Sequence, residues 1–211
     1  QSALVVSRGG KIFANGSPDK PIIMTSSQDD GSLDVLNARG LWGGVAINGS
    51  ATQNTTSGYA QGEGSTGEYG GGTSPNDSDN SGSMTYVQIR YAGYPITADD
   101  ELNTISLHAV GSGTTLDYIH SHNGADDGIE FYGGTVNAKH ILITGQDDDA
   151  LDWTNGWTGN LQHVVIKHTT SGDNCIEADN LGANPIATPR SNPKISNLTC
   201  ITSSTQKSSG H

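Results

Sequence analysis

The stretch Leu116-Asp117-Tyr118-Ile119-His120-Ser121-His122, running on into Asp126-Asp127-Gly128-Ile129-Glu130-Phe131, decides the fold because it recurs twice. The second copy is Ala138-Lys139-His140-Ile141-Leu142-Ile143-Thr144, then Asp147-Asp148-Asp149-Ala150-Leu151-Asp152-Trp153. The third is Leu161-Gln162-His163-Val164-Val165-Ile166-Lys167, then Gly172-Asp173-Asn174-Cys175-Ile176-Glu177-Ala178. Each copy holds two short runs with the period-two alternation of strands, separated by Gly, Asn and Asp. Aligned on Ile129, Leu151 and Ile176, the steps are 22 and 25 residues. Looser copies lie at 84–91, 104–110 and 195–202. Such a period belongs to a solenoid. A leucine-rich repeat needs leucines at fixed places and a helix, and here Gly interrupts every candidate helix. The pattern predicts an all-β, right-handed, single-stranded parallel β-helix with coils of 22–25 residues.

In such a coil Ile119 and Ser121, Ile141 and Ile143, and Val164 and Ile166 point inward together. On the second sheet Ile129 and Phe131, Leu151 and Trp153, and Ile176 and Ala178 do the same. Corners carry Gly, Asn and Asp, which tolerate positive φ or bond to the backbone. The first fifty residues supply further short strands: 5–13 and 21–25 around the turn Gly16-Ser17-Pro18-Asp19, then 40–49 with Trp42 packed at a corner. Three excursions leave the coils: 53–83, rich in Gly, Ser, Thr and Asn, then 94–101 and 181–193. One β-helix domain over 1–211 is expected, as a fragment of a longer chain. An uncapped solenoid end leaves its apolar face uncovered, and the polar stretch 203–211 ends abruptly.

With 22 acidic against 10 basic residues the net charge is −12. That argues against nucleic acid, whose phosphates demand a cluster of cations, and favours a cation or a neutral surface as partner. No run of 18 apolar residues exists to insert into a membrane. Cys175 and Cys200 are too few for a disulfide framework. They either form one bridge in an oxidising compartment or are two small buried residues.

Several motifs together resemble a known group. They are Gly10-Lys11-Ile12, Pro21-Ile22-Ile23-Met24-Thr25-Ser26, Leu41-Trp42-Gly43-Gly44-Val45 and Asp79-Asn80-Ser81-Gly82, with the stretch from Asp126 through Phe131-Tyr132-Gly133-Gly134 to Lys139. The set is similar to secreted or outer-surface bacterial β-helix proteins of the pectin-lyase-like superfold, many of them lipoprotein-like. The resemblance covers nearly the whole chain. It implies the fold and an extracellular or cell-surface location, and it assigns no catalytic residue. A narrower likeness, through Asn123 to Ile129 and Ser171 to Ile176, points to polygalacturonase-type glycosidases. The chain departs from that pattern. Asp173-Asn174 stands where a paired Asp precedes Cys, and neither a His-Gly loop nor an Arg-x-Lys follows.

Outward positions of successive coils form columns about 4.8 Å apart. One reads Ser106, Glu130, Asp152, Glu177, and beside it runs His108, Tyr132, Thr154, Asp179. Corner carboxylates add Asp126 and Asp127, Asp147 to Asp149, and Asp173. Two ionised carboxylates at ~5 Å and an effective dielectric of about 20 repel by roughly 3 kcal/mol. Solvent exposure relieves that. So does a cation such as Ca²⁺, held by Asp127, Asp149, Asp152 and Asp173. So does a raised pKa, which creates a general acid. In the last case Glu130, Asp152 and Glu177 are candidate catalytic residues of a glycoside hydrolase or polysaccharide lyase, since stacked carboxylates meet the ~5–5.5 Å spacing of retaining enzymes. The corner aspartates also have a purely structural use, accepting backbone N–H bonds.

A second outward column reads Tyr86, Tyr118, His140, His163. Tyr118, His140 and His163 are candidates for glycan contact, the two histidines for a transition metal as well, and the column equally suits a ladder that braces the sheet. Trp157, in a turn, is the candidate sugar-stacking ring if exposed and a core residue otherwise. Gly111-Ser112-Gly113 lacks the strand–elbow–helix setting of a hydrolase serine. The functions that remain are a surface binding module for glycans, other surface molecules or copies of itself, a polysaccharide-cleaving enzyme, and a calcium-stabilised spacer.

Overall fold

The computed structural model describes residues 2–97, 100–169 and 172–203. Residues 98–99 of the second excursion, Ser171 and the polar stretch beyond 203 lie outside them. The chain winds as a right-handed parallel β-helix with two long sheets. The short-strand sheet orders Leu4–Val6, Val45–Asn48, Ile105–His108, Ile129–Tyr132 and Leu151–Thr154. A single parallel bridge from Leu151 to Ile176 begins one more rung. The repeat alignment is the register itself: Ile129 pairs with Leu151, Glu130 with Asp152 and Phe131 with Trp153.

The long-strand sheet stacks Gly82–Arg90, Thr115–His122, Asn137–Thr144, Asn160–Lys167 and Lys194–Ile201. Each long strand bends once. Tyr86, Tyr118, His140, His163 and Asn197 all have φ between 50° and 60°. This left-handed residue turns the strand, so two neighbouring side chains point outward and the alternation restarts. In the first coil the same corner is a turn. Ile12–Asn15 pairs with the first half of Gly82–Arg90 and Ile22–Met24 with the second.

One apolar core runs between the sheets. Ile119, Ile141, Val164, Ile129, Phe131 and Leu151 are at most 3% exposed. Ala178 departs from its expected inward place and is exposed, because its rung consists of one bridge before the chain leaves for the third excursion. Trp157 is not a surface ring: it is fully buried, stacked on Phe131 at 3.9 Å, with Nε1 donating to the Val136 carbonyl at 3.2 Å. Asn155 and Gly156, both at positive φ, fold the turn back so that the indole enters the core. Trp42 sits at a corner as expected, Nε1 donating to the Arg90 carbonyl at 2.7 Å. Cys175 and Cys200 form a disulfide that ties the last rung of one sheet to the last strand of the other. Among the described residues no helix is long and apolar enough to cross a membrane.

Candidate functional site

The outer face of the short-strand sheet is covered. Val45–Asn48, Ile105–His108 and Ile129–Tyr132 are buried at every position, not at alternate ones. The cover is the first excursion, which is ordered despite its polar composition. Asp77 and Asp79 pin it by accepting from the Thr52 N–H at 2.8 Å and the Ser50 hydroxyl at 2.9 Å. Its hairpin, Ala60–Gly62 with Gly67–Tyr69, lays Tyr69 on His108 at 4.8 Å. The turn Glu63–Ser65 meets the second excursion, where a Cβ on Gly64 would stand 2.4 Å from Ile96 and 2.8 Å from Leu102. The third excursion joins from the far end, with Asn54 Nδ2 donating to Asn180 Oδ1 at 2.9 Å and to the Pro189 carbonyl at 3.0 Å.

Beneath this roof the carboxylate column is buried. Glu130 is 7% exposed, Asp127 8%, Asp149 3% and Asp152 9%. A solvated ladder is therefore ruled out for these four, while Glu177 at the open end is exposed. The register sorts the polar groups into three adjoining columns. Glu130, Asp152 and Glu177 lie on the strands, Asn103, Asp127, Asp149 and Asn174 three residues before the strand position of their own coil, and Asp126, Asp148 and Asp173 four residues before it. The middle column caps across coils. Asp127 Oδ1 accepts from the Asp149 N–H at 3.0 Å, and Asp149 Oδ1 from the Asn174 N–H at 2.5 Å. The structural use of the corner aspartates is thus realised, between coils and not within one turn.

Burial and mutual repulsion set the protonation. Glu130 is held well above the usual carboxylate range by burial first, then by the charges of Asp152, Asp127 and Glu63. Burial, then Asp126 and Asp152, does the same to Asp127. Asp126 rises to about 7 through burial, Glu101 and Glu63, and Asp149 to about 7 through burial and its hydrogen bond with Glu177. The Tyr132 hydroxyl donates to Glu130 Oε2, and Asn103 Nδ2 donates to the same oxygen at 2.7 Å. Asp152 Oδ1 and Asn103 Oδ1 are both buried, and among the described residues neither has a hydrogen-bond partner.

Carboxylate oxygens of Asp127, Glu130 and Asp152 lie within 4.8 Å of one another, as do those of Asp126, Asp127 and Asp148, and those of Asp148, Asp149 and Asp173. The expected set Asp127, Asp149, Asp152 and Asp173 is thus divided between overlapping groups. Asn103, Glu63 and Glu101 were missing from the expectation. Carrying the register one coil back from Asp127 lands on Asn103, a legible signal. Glu63 and Glu101 sit on excursions outside the repeat and have no such signal.

The second column is a stacked ladder. Ring centroids stand 4.3 Å apart for Tyr86–Tyr118, 4.2 Å for Tyr118–His140 and 5.0 Å for His140–His163, with interplanar angles of 8–14°. Each inner ring has both faces covered, so Tyr118 and His140 present edges and not platforms to a sugar. Imidazole lone pairs lie in the ring plane, so the near-parallel His140 and His163 do not aim at one ion. His140 Nδ1 is instead 2.7 Å from Asp117 Oδ1.

The fold and this site define a right-handed β-helix with a carboxylate cluster on a roofed sheet. The sequence model of the pectate-lyase like beta helix domain matches residues 1–210, and the chain belongs to that family. Comparison with curated proteins and with solved structures returned no match.

Proposed function

We propose that this chain is an extracellular or cell-surface β-helix binding module whose roofed sheet takes a divalent cation, calcium by its donor set, into the carboxylate cluster. The observation that carries this reading is the buried, unpartnered Asp152 Oδ1 within the Asp127–Glu130–Asp152 group. Oxygens bound to one Ca²⁺ at about 2.4 Å stand at most about 4.8 Å apart, and these three carboxylates meet that limit. The donors are all oxygen, the preference of a hard cation. Asn103 offers a neutral oxygen beside them. The second orphan is again an acceptor, as a cation requires. The family membership and the Cys175–Cys200 bridge, which suits an oxidising compartment, support the extracellular placement.

Calorimetric titration with calcium at pH 8 tests this. Binding with a rise in melting temperature is expected, with loss of both in Asp152→Asn and weakening in Asn103→Ala. Absence of binding heat together with an unchanged melting temperature overturns it.

A second reading rests on the same pair. Glu130, whose pKa is pushed up by burial and by Asp152, has the form of a general acid next to a nucleophile in glycosidic cleavage, a reading that requires the roof to lift because both carboxylates are buried. Reducing-end release from a polysaccharide, abolished by Asp152→Asn, is its signature. Inertness across neutral and acidic polysaccharides dismisses it.

A further inference from the structure

Among the described residues nothing roofs the long-strand sheet, on the opposite flank. Its outer positions alternate with the core in the ordinary way, and between the first corner and the aromatic ladder they are polar in three successive coils. Thr115 and Asp117, Asn137 and Lys139, and Asn160 and Gln162 line a shallow cleft of about 290 Å³. Thr115 pairs in register with Asn137, Asp117 with Lys139, and Lys139 with Gln162. Two parallel rows of side chains therefore run along the solenoid axis with a step of about 4.8 Å.

We infer that this cleft binds an uncharged polysaccharide chain laid along the axis, through the amide and hydroxyl side chains of these three coils. Four observations point to that class. The cleft's fixed charges are already matched. Asp117 takes Lys139 Nζ at 3.5 Å and His140 Nδ1 at 2.7 Å, and the chain's net charge of −12 repels polyanions. The amides keep bonding capacity of both kinds. Asn137 Oδ1 accepts from the Asn160 N–H at 2.9 Å and from its Nδ2 at 2.5 Å, and Gln162 Nε2 donates to Asn197 Oδ1 at 3.2 Å. Among the described residues no bond engages Asn137 Nδ2, Asn160 Oδ1 or Gln162 Oε1. Donors and acceptors set side by side suit vicinal hydroxyls, which act as both.

Thirdly, the flanking strands are hydrogen-bonded on both edges, so an extended peptide finds no backbone to pair with. Fourthly, Leu116, Ala138 and Leu161 are at most 6% exposed, leaving no apolar socket for a peptide anchor. The closed ring faces of the ladder place recognition in hydrogen bonds and not in sugar stacking.

The experiment measures binding of the intact chain to hexasaccharides of β-linked glucose, mannose, xylose and N-acetylglucosamine, with polygalacturonate alongside. A neutral hexasaccharide is expected to bind, and its disaccharide to bind more weakly because it spans fewer coils. The exposed triple variant Asn137→Ala/Asn160→Ala/Gln162→Ala should keep its melting temperature and lose at least about tenfold in affinity, the loss of one or two hydrogen bonds. Asp152→Asn should bind the sugar as the parent does, which separates this flank from the carboxylate cluster. The inference fails if no neutral sugar binds, if polygalacturonate alone binds, or if the triple variant binds undiminished.

Discussion

The two long sheets share a coil, a period and an inward apolar face, yet their outer faces are opposites. Ile129–Tyr132 is buried at all four positions, while Asn160–Lys167 alternates between exposed and buried. Both outer faces carry polar residues in columns. On the bare flank, Asp117 pairs with Lys139 and His140. Under the roof the carboxylates have one another, and the tyrosine and amide groups that bond Glu130. Water accounts for the difference. Where solvent screens, an acidic column is a matter of tenths of a kcal/mol. Where an excursion excludes it, the same column must retain protons or take a cation.

The largest expected effect lies in the roof. Tyr69→Ala removes a ring 2% exposed that stacks on His108 and contacts Tyr132. It should cost about 3–5 kcal/mol in chemical denaturation, the scale of a buried aromatic truncation. A cost below about 1 kcal/mol would mean that the hairpin is a loose flap and the comparison is void.

Next is the link between the flanks. Cys175→Ala/Cys200→Ala opens a bridge spanning 25 residues and should cost about 3 kcal/mol. Because Asn174 and Glu177 flank this bridge and both bond Asp149, calcium affinity should fall in the same variant while sugar binding on the bare flank stays constant.

The pH profile is third. Asp126 and Asp149 hold protons up to about 7 in the fold, against 3.8 when unfolded. Above pH 4 the folded state thus binds more protons, and the stability these groups contribute is lost as pH rises through 7. Buried His108 and His168 and half-buried His120 and His122 are shifted downward, so they act in the opposite sense, chiefly below their ordinary 6.5. Without calcium, stability attributable to the two aspartates should fall between about pH 4 and 7 and level off above the folded value. Subtracting the profile of Asp126→Asn/Asp149→Asn isolates it. With calcium in the neighbouring Asp127–Glu130–Asp152 group, its charge favours the ionised aspartates, so the fall should shrink and move to lower pH. A drop unaffected by calcium separates the titration from the cation.

The smallest effect belongs to the bare flank. Tyr118→Ala opens a ladder whose ring is 41% exposed and should cost about 1 kcal/mol. A cost equal to that of Tyr69→Ala would show the ladder, and not the roof, to be the stronger brace.

The architecture was legible because a repeat needs only like residues at like spacing. The 22- and 25-residue steps from Ile129 to Leu151 to Ile176 reappear as hydrogen-bonded register, and the column Glu130–Asp152 followed directly. Trp157 was ambiguous because the positive φ of Asn155 and Gly156 redirects the chain within two residues. The bend at Tyr86, Tyr118, His140 and His163 was hidden because tyrosine gives no warning of a left-handed corner and the enrichment of histidine there is too weak to mark one.

Sequence alone settled which residues share a column and, Ala178 and Trp157 apart, which face the core, since strand alternation and coil period are local properties of the chain. Tertiary structure alone decided which column is dry. Polar excursions fold back through contacts such as Tyr69 on His108 and Glu63 near Asn103, between residues about forty apart that no periodicity connects. Exclusion of water is a property of that return, and the raised pKa values of the carboxylates follow from it.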